Sequence, residues 1–158
     1  MSAAPLGFAC SLQGQRVALL LPGGDEATPS WTLRFDPDWV TSLERPTVSL
    51  AFRQWRLDRD RRFPRSMPPL VANLLPERGG AVRRRIARTF DVDERDDAAL
   101  LQVVGGDVSG ALIFDPTDEV GRPRRAVDDA PLVAEGSRRG LRYSLGGMQL
   151  KHSVDRVE

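Results

Sequence analysis

The chain is short of several things that chemistry usually needs. Cys10 is its only cysteine and His152 its only histidine. A single cysteine excludes an internal disulfide and fits a reducing compartment. A lone histidine with no cysteine beside it excludes the Cys/His spacing of a zinc site. Lys151 is the only lysine, and every other basic residue is arginine, the mark of a GC-rich coding sequence. No apolar run approaches the roughly 20 residues of a membrane span. Residues 1–10 lack the basic start and strong apolar stretch of a secretory signal. The net charge is only +1, so no global electrostatic argument for nucleic acid arises. A cytoplasmic protein without a membrane partner is expected.

What is present is enough for a core. The chain has 158 residues, of which 41% are hydrophobic, so it holds one domain or one domain plus a piece of another. In the first half the pattern is that of short strands. Gln15–Leu21 is a mostly apolar run closed by the turn signal Pro22-Gly-Gly-Asp25. Trp31, Leu33 and Phe35 alternate along one face, and so do Val48, Leu50 and Phe52. The spacing predicts a small antiparallel sheet with one face in the core.

The period then changes from two to nearly four. Leu70, Leu74 and Leu75 share a helical face, and Pro68 or Pro69 suits a first turn. Residues 81–90 read as a second helix, with Val82, Ile86 and Phe90 toward the core and Arg83, Arg84, Arg85 and Arg88 on the remaining faces. Asp96 or Asp97 caps a third helix carrying Leu100, Leu101, Val103 and Val104. Gly105-Gly-Asp-Val-Ser-Gly110 ends it and lets it pack closely before a strand at 111–114. Residues 116–140, rich in Pro, Gly, Asp and Arg, read as a linker or long surface loop. The fold class is α+β, with a small antiparallel sheet or partial barrel covered by helices at about 68–104.

Three features invite a chemical reading. Arg53–Arg65 interleaves aromatic residues with cations, as nucleic-acid surfaces do, but Asp58 and Asp60 lie within it and a solvated loop accounts for it equally well. The arginines at 83–88 are the polar side of an amphipathic helix, with an acidic partner surface as the lesser reading. Tyr143-Ser-Leu-Gly-Gly-Met-Gln-Leu-Lys151 reads as a strand entering a glycine turn. Glycine lets the backbone approach phosphate oxygens, and Lys151 adds a positive charge. Neither the Walker A nor the dinucleotide glycine spacing is present.

These segments in this order resemble the N-terminal part of the HipA-type serine/threonine kinases, the toxins of bacterial toxin–antitoxin systems. The resemblance runs through Phe35-Asp-Pro-Asp-Trp39, Asn73-Leu-Leu-Pro-Glu77, Arg85-Ile-Ala-Arg88, Leu100-Leu101 and Gly105–Ala111. It ends in Ser144–Lys151, which is similar to the family's Ser-Leu-Ala-Gly-x-Gln-x-Lys loop, with Gly146 where alanine is frequent. The resemblance implies residues 1–115 as a HipA-like N-terminal subdomain and 141–158 as the start of a kinase-like core. It implies that Gly146, Gly147, Met148, Gln149, Leu150 and Lys151 face the nucleotide, and that Ser144 is the inhibitory autophosphorylation site. ATP and magnesium are implied only for the complete kinase, whose catalytic and metal-binding residues lie downstream of this loop. Asp107, Asp118, Asp128 and Asp129 match no catalytic motif. The expectation is a chain that transfers no phosphate alone, either the N-terminal portion of a kinase or a stand-alone, antitoxin-like module of a split system. The implied partners are a kinase-lobe remainder or a HipA-like kinase, a helix-turn-helix antitoxin, and an aminoacyl-tRNA synthetase as substrate.

Overall fold

The computed structural model describes residues 7–25, 28–53, 56–108, 110–119 and 127–128. Six strands form one sheet in the order β5-β1-β2-β3-β4-β6. They are β1 (Gly7–Leu12), β2 (Gln15–Gly23), β3 (Ser30–Phe35), β4 (Asp60–Pro64), β5 (Leu112–Thr117) and β6 (Val127–Asp128). The first five are joined antiparallel, and β6 adds to β4 in parallel. Among the described residues, four α-helices accompany them: α1 (Pro37–Thr41), α2 (Pro69–Ala72), α3 (Ala81–Phe90) and α4 (Asp97–Val104). The fold is α+β, with a small antiparallel sheet and a few helices.

Local chemistry explains the turns. Gln13 and Gly14 both have positive φ, 51° and 79°, and make the two-residue loop between β1 and β2. Positive φ at both central residues matches the right-handed twist of a hairpin. At the other end of β2, the Asp25 carboxylate accepts hydrogen bonds from the Thr28 amide and hydroxyl, each at 2.7 Å. β2 is central, and Val17–Leu21 are buried without interruption. That is why its sequence is a continuous apolar run rather than an alternation.

Most of the core lies on one face of the sheet. Phe8, Leu20 and Leu33 stand in register across β1, β2 and β3, as do Phe114, Cys10, Ala18 and Phe35 across four strands. Val71, Leu75, Leu100 and Leu101 come from the helical region to cover them, and all are buried. The expected cover at about 68–104 is thus present.

Four expectations need correction. Residues 46–52 do not form a strand; the chain there is irregular and ends in a 3₁₀ turn at Leu50–Arg53, with Leu50 exposed and Phe52 buried. The arginine run is no free loop at its end: Asp60–Pro64 is β4, in register with Ser30–Leu33, and Asp60, Arg61 and Phe63 are buried. On α3 the arginine at 83 is the fully buried side chain, while Val82 and Phe90 are exposed. Residues 116–140 are not wholly a linker, because β5 runs through Pro116 and Thr117 and Val127–Asp128 pairs with β4. Gly7–Leu12, where the pattern predicts no strand, forms β1.

Gly105 behaves as its place before β5 suggests. A Cβ there would stand 2.5 Å from the Phe114 carbonyl oxygen and 3.0 Å from the Phe114 Cβ, whereas one at Gly106 would meet nothing within 4 Å. Its φ of −60° suits any residue, so the constraint is space alone. Gly105→Ala is therefore expected to lower unfolding stability by about 1–3 kcal/mol, the range for overpacking. Gly106→Ala should change it little; urea denaturation of the two variants checks the contrast.

Candidate functional site

The first family-like segment explains itself physically. Asp36 is the N-cap of α1: its carboxylate accepts from the Asp38 amide at 2.9 Å and the Trp39 amide at 3.4 Å. Pro37 occupies the first turn, where its missing N–H costs nothing. The Asp36 amide donates to the Val17 carbonyl at 2.8 Å, tying the cap to β2. Arg16 Nε donates to the same carboxylate at 2.8 Å, and its other arm reaches Glu119 at 2.6 Å. The bond to Asp36 raises the already high pKa of Arg16. The result is a one-turn helix whose Trp39 is driven inward, stacked on Phe35 at 5.9 Å and edge-on to Phe52 at 6.4 Å.

A second assembly centres on Arg83. Its Nε donates to the Glu94 carbonyl at 2.5 Å, Nη1 to the Pro76 carbonyl at 3.1 Å, and Nη2 to Asp97 Oδ1 at 2.5 Å. Asp97 is in the first turn of α4, where the helix dipole favours a negative charge. Its other oxygen accepts from Arg78. One side chain thereby holds the segment after α2, the loop after α3, and the start of α4. Sequence periodicity missed it because arginine on a helix reads as a solvated residue. Asp97, one residue inside the capped start of α4, is the signal that could have found it.

A third is the pair Arg34–Asp60 across β3 and β4. Asp60 is buried, and Arg34 meets it through Nε at 2.9 and 3.0 Å and through Nη2 at 2.5 Å. Asp60 also stands in register with Val127 of β6. By contrast, Asp58 and Arg56 are exposed and pair with each other, and that bond lowers the Asp58 pKa. The arginine run is therefore divided: Arg56 and Asp58 are solvated, and its end is built into the sheet.

Arg84, Arg85 and Arg88 form the outer face of α3 with Ala81 and Thr89. Among the described residues, no cluster of three or more His, Cys, Asp or Glu is placed to hold a metal ion. No described helix is long and apolar enough to cross a membrane. Ser144 and the loop Gly146, Gly147, Met148, Gln149, Leu150 and Lys151 lie outside the described residues, as does His152.

The profile of the HipA N-terminal domain matches residues 9–115. This chain belongs to the HipA N-terminal domain family. A curated relative from Sinorhizobium fredii (strain NBRC 101917 / NGR234), named "Putative kinase Y4dM", is 31% identical over 123 residues. The match takes in 76% of this chain and 29% of that relative, so the chain spans less than a third of its length. The matched HipA region begins inside β1 and ends inside β5, and so contains the antiparallel sheet and all four helices.

Within this HipA domain the family-like segments have structural duties. Phe35–Trp39 caps α1 and seats its tryptophan, Pro76 supplies a carbonyl to Arg83, Leu100 and Leu101 are fully buried, and Gly105 lies against β5.

Cys10 is a core residue, not a nucleophile. Burial pushes its thiol up to about 12 from an ordinary 9.0. The folded value exceeds the unfolded one, so this group leaves stability unchanged below about pH 9 and erodes it as pH climbs from 9 toward 12. A disulfide-exchange reagent at pH 8 should label Cys10 only after denaturant is added.

Arg83→Met should destabilise the HipA domain by about 3–5 kcal/mol, because it leaves Asp97 without its buried partner and strands two carbonyls. Arg83→Lys should recover only part of this, since one ammonium cannot span three acceptors in separate directions. Arg85→Ala, at an exposed position, should stay within about 0.5 kcal/mol of the parent. Guanidinium denaturation followed by circular dichroism measures all three.

Proposed function

We propose that this chain is the N-terminal portion of a HipA-like serine/threonine protein kinase toxin and does not transfer phosphate by itself. The observation that carries the reading is the HipA N-terminal domain match over residues 9–115. The Sinorhizobium relative, a kinase by name and more than three times the length of the matched segment, supports it.

In this reading the described domain is a non-catalytic unit that accompanies a kinase core. Gly146, Gly147, Met148, Gln149, Leu150 and Lys151 form a glycine-rich loop facing ATP, with backbone amides and Lys151 meeting phosphate oxygens. Ser144 is the autophosphorylation site. A phosphoserine there adds nearly two negative charges beside the nucleotide phosphates, so repulsion displaces the loop and lowers nucleotide affinity. Magnesium and ATP belong to the complete kinase, since transfer needs a catalytic aspartate and metal-holding Asp or Asn residues. A kinase lobe is the partner this reading requires. A helix-turn-helix antitoxin and an aminoacyl-tRNA synthetase substrate are carried over from the family resemblance, and so is a cytoplasmic setting.

The stand-alone module of a split system is the second reading. It is favoured by one observation: among the described residues, Phe8, Leu20, Phe35, Leu100 and Phe114 join in one hydrophobic core. A unit with its own core can act in trans.

Purified chain incubated with Mg·ATP should incorporate no radiolabelled phosphate at Ser144. Addition of a kinase lobe encoded beside it should produce labelling if the two complete one enzyme, and should suppress the lobe's own activity if the chain acts as an antitoxin. Strong self-labelling of the chain alone overturns the proposal.

A further inference from the structure

The outer face of α3 carries charge of one sign only. Residues 81–90 hold four arginines and no acidic residue. Arg83 is spent inside the fold. Arg84, Arg85 and Arg88 are exposed and gather with Ala81 and Thr89 around one open depression. A solvated helix needs polar residues, but not this set. A GC-rich coding sequence selects arginine over lysine and has no bearing on the sign of the charge. Helix stability asks for the opposite pattern. The first turn has no acidic residue, where the dipole favours one. Arg84 and Arg88 stand four residues apart, a spacing at which like charges repel and an acid–base pair would attract.

The neighbouring chain does not neutralise these cations. Arg84 gives one N–H to the Gly79 carbonyl, while Arg85 and Arg88 have no hydrogen-bond or ion-pair partner among the described residues. Asp91, Asp93 and Glu94 line an adjoining depression with Arg84 and Arg88, yet none of the three carboxylates forms an ion pair with them. Asp93 instead accepts from the Arg95 amide at 2.8 Å.

The shape of the patch selects its ligand. A guanidinium fork matches a carboxylate or a phosphate. The depression is open and all five lining residues are exposed, so each ion pair is worth little and affinity needs several at once. That favours a chain of anions over a small one. Asp91, Asp93 and Glu94 hem the cations on the side of Arg84 and Arg88, and so repel a phosphate backbone that continues past them. Val82, 36% exposed, lies three residues before Arg85 and seven before Thr89 on the same helix surface. An apolar margin suits a polypeptide.

We propose that the outer face of α3 is a docking surface for an acidic segment of a partner polypeptide. Its carboxylates pair with Arg84, Arg85 and Arg88, and one of its apolar side chains covers Val82. The proposal uses no residue of the glycine-rich loop and does not rest on the kinase reading.

The test is fluorescence anisotropy of the full chain with a labelled Glu-Glu-Leu-Glu-Glu-Leu-Glu-Glu peptide. The peptide should bind saturably at low ionic strength and weaken as salt is added. Arg85→Gln and Arg88→Gln should each weaken binding roughly two- to fivefold, the worth of an exposed ion pair. Combined with Arg84→Gln they should weaken it by roughly tenfold or more. Arg62→Gln, Arg65→Gln and Arg95→Gln together remove the same charge from exposed positions elsewhere and should leave binding within about twofold. Replacing the peptide's leucines by serine should weaken binding roughly twofold or more, and unchanged binding overturns the role given to Val82. Circular dichroism checks that the variants fold; should the α3 triple variant unfold, Arg85→Gln with Arg88→Gln decides. No saturable binding overturns the proposal, as do equal losses in the two triple variants. A DNA duplex that binds more tightly than the peptide at the same salt, and is lost in the α3 triple variant, overturns the polypeptide assignment in favour of nucleic acid.

Discussion

A guanidinium buried inside the helical layer sets the arrangement of much else. Removing a cation from water is costly unless it is paired and hydrogen-bonded. Arg83 meets that condition only when the segment after α2, the loop at Glu94 and the start of α4 are all in place. The rotation of α3 about its axis follows from this one side chain. Once Arg83 and Ala87 point inward, Arg84, Arg85 and Arg88 must face water and Ile86 sits half-buried. Helix α3 adds little apolar area of its own, so polar bonds do here what a leucine stripe does elsewhere.

The sheet reaches its order by a different route. Its strands are sequential neighbours from β1 to β4, which requires only local pairing. The long-range step is the return of β5 to β1, where six residue pairs join the two ends of the matched HipA region. The close contact of Gly105 with Phe114 occurs at this step, so the exit from α4 and the entry to β5 are fixed together.

How much of this could be read beforehand depends on which force dominates each element. Where burial of a regular apolar pattern dominates, as in β2, β3, α4 and β5, the sequence was legible. It failed where polar pairing overrides the pattern. Asp60 looked like a solvated loop residue because its partner Arg34 is 26 positions away and no local spacing reveals it. Val82, Ile86 and Phe90 formed a convincing stripe that the buried guanidinium turned partly outward. The alternation at Val48, Leu50 and Phe52 had no strand partner; Val48 and Phe52 instead wall a cavity beside Trp39, and Leu50 is exposed. Around α1, the Asp36 cap was visible as a family-like segment, but the unpaired Trp39 indole was not, since it exists only after packing. The glycine-rich loop was legible as a motif and lies outside the described residues.

The shortest ladder in the sheet is the two-residue parallel pairing of Val127–Asp128 with Asp60 and Arg61. Every other strand pair is at least twice as long. Short ladders open at the lowest free energy and do so without melting their longer neighbours. This pairing therefore works as a mechanical fuse: a pull on the chain beyond Asp128 releases β6 first and bares one edge of β4. The five antiparallel strands, and the Arg34 clasp on Asp60, are left standing when it gives way.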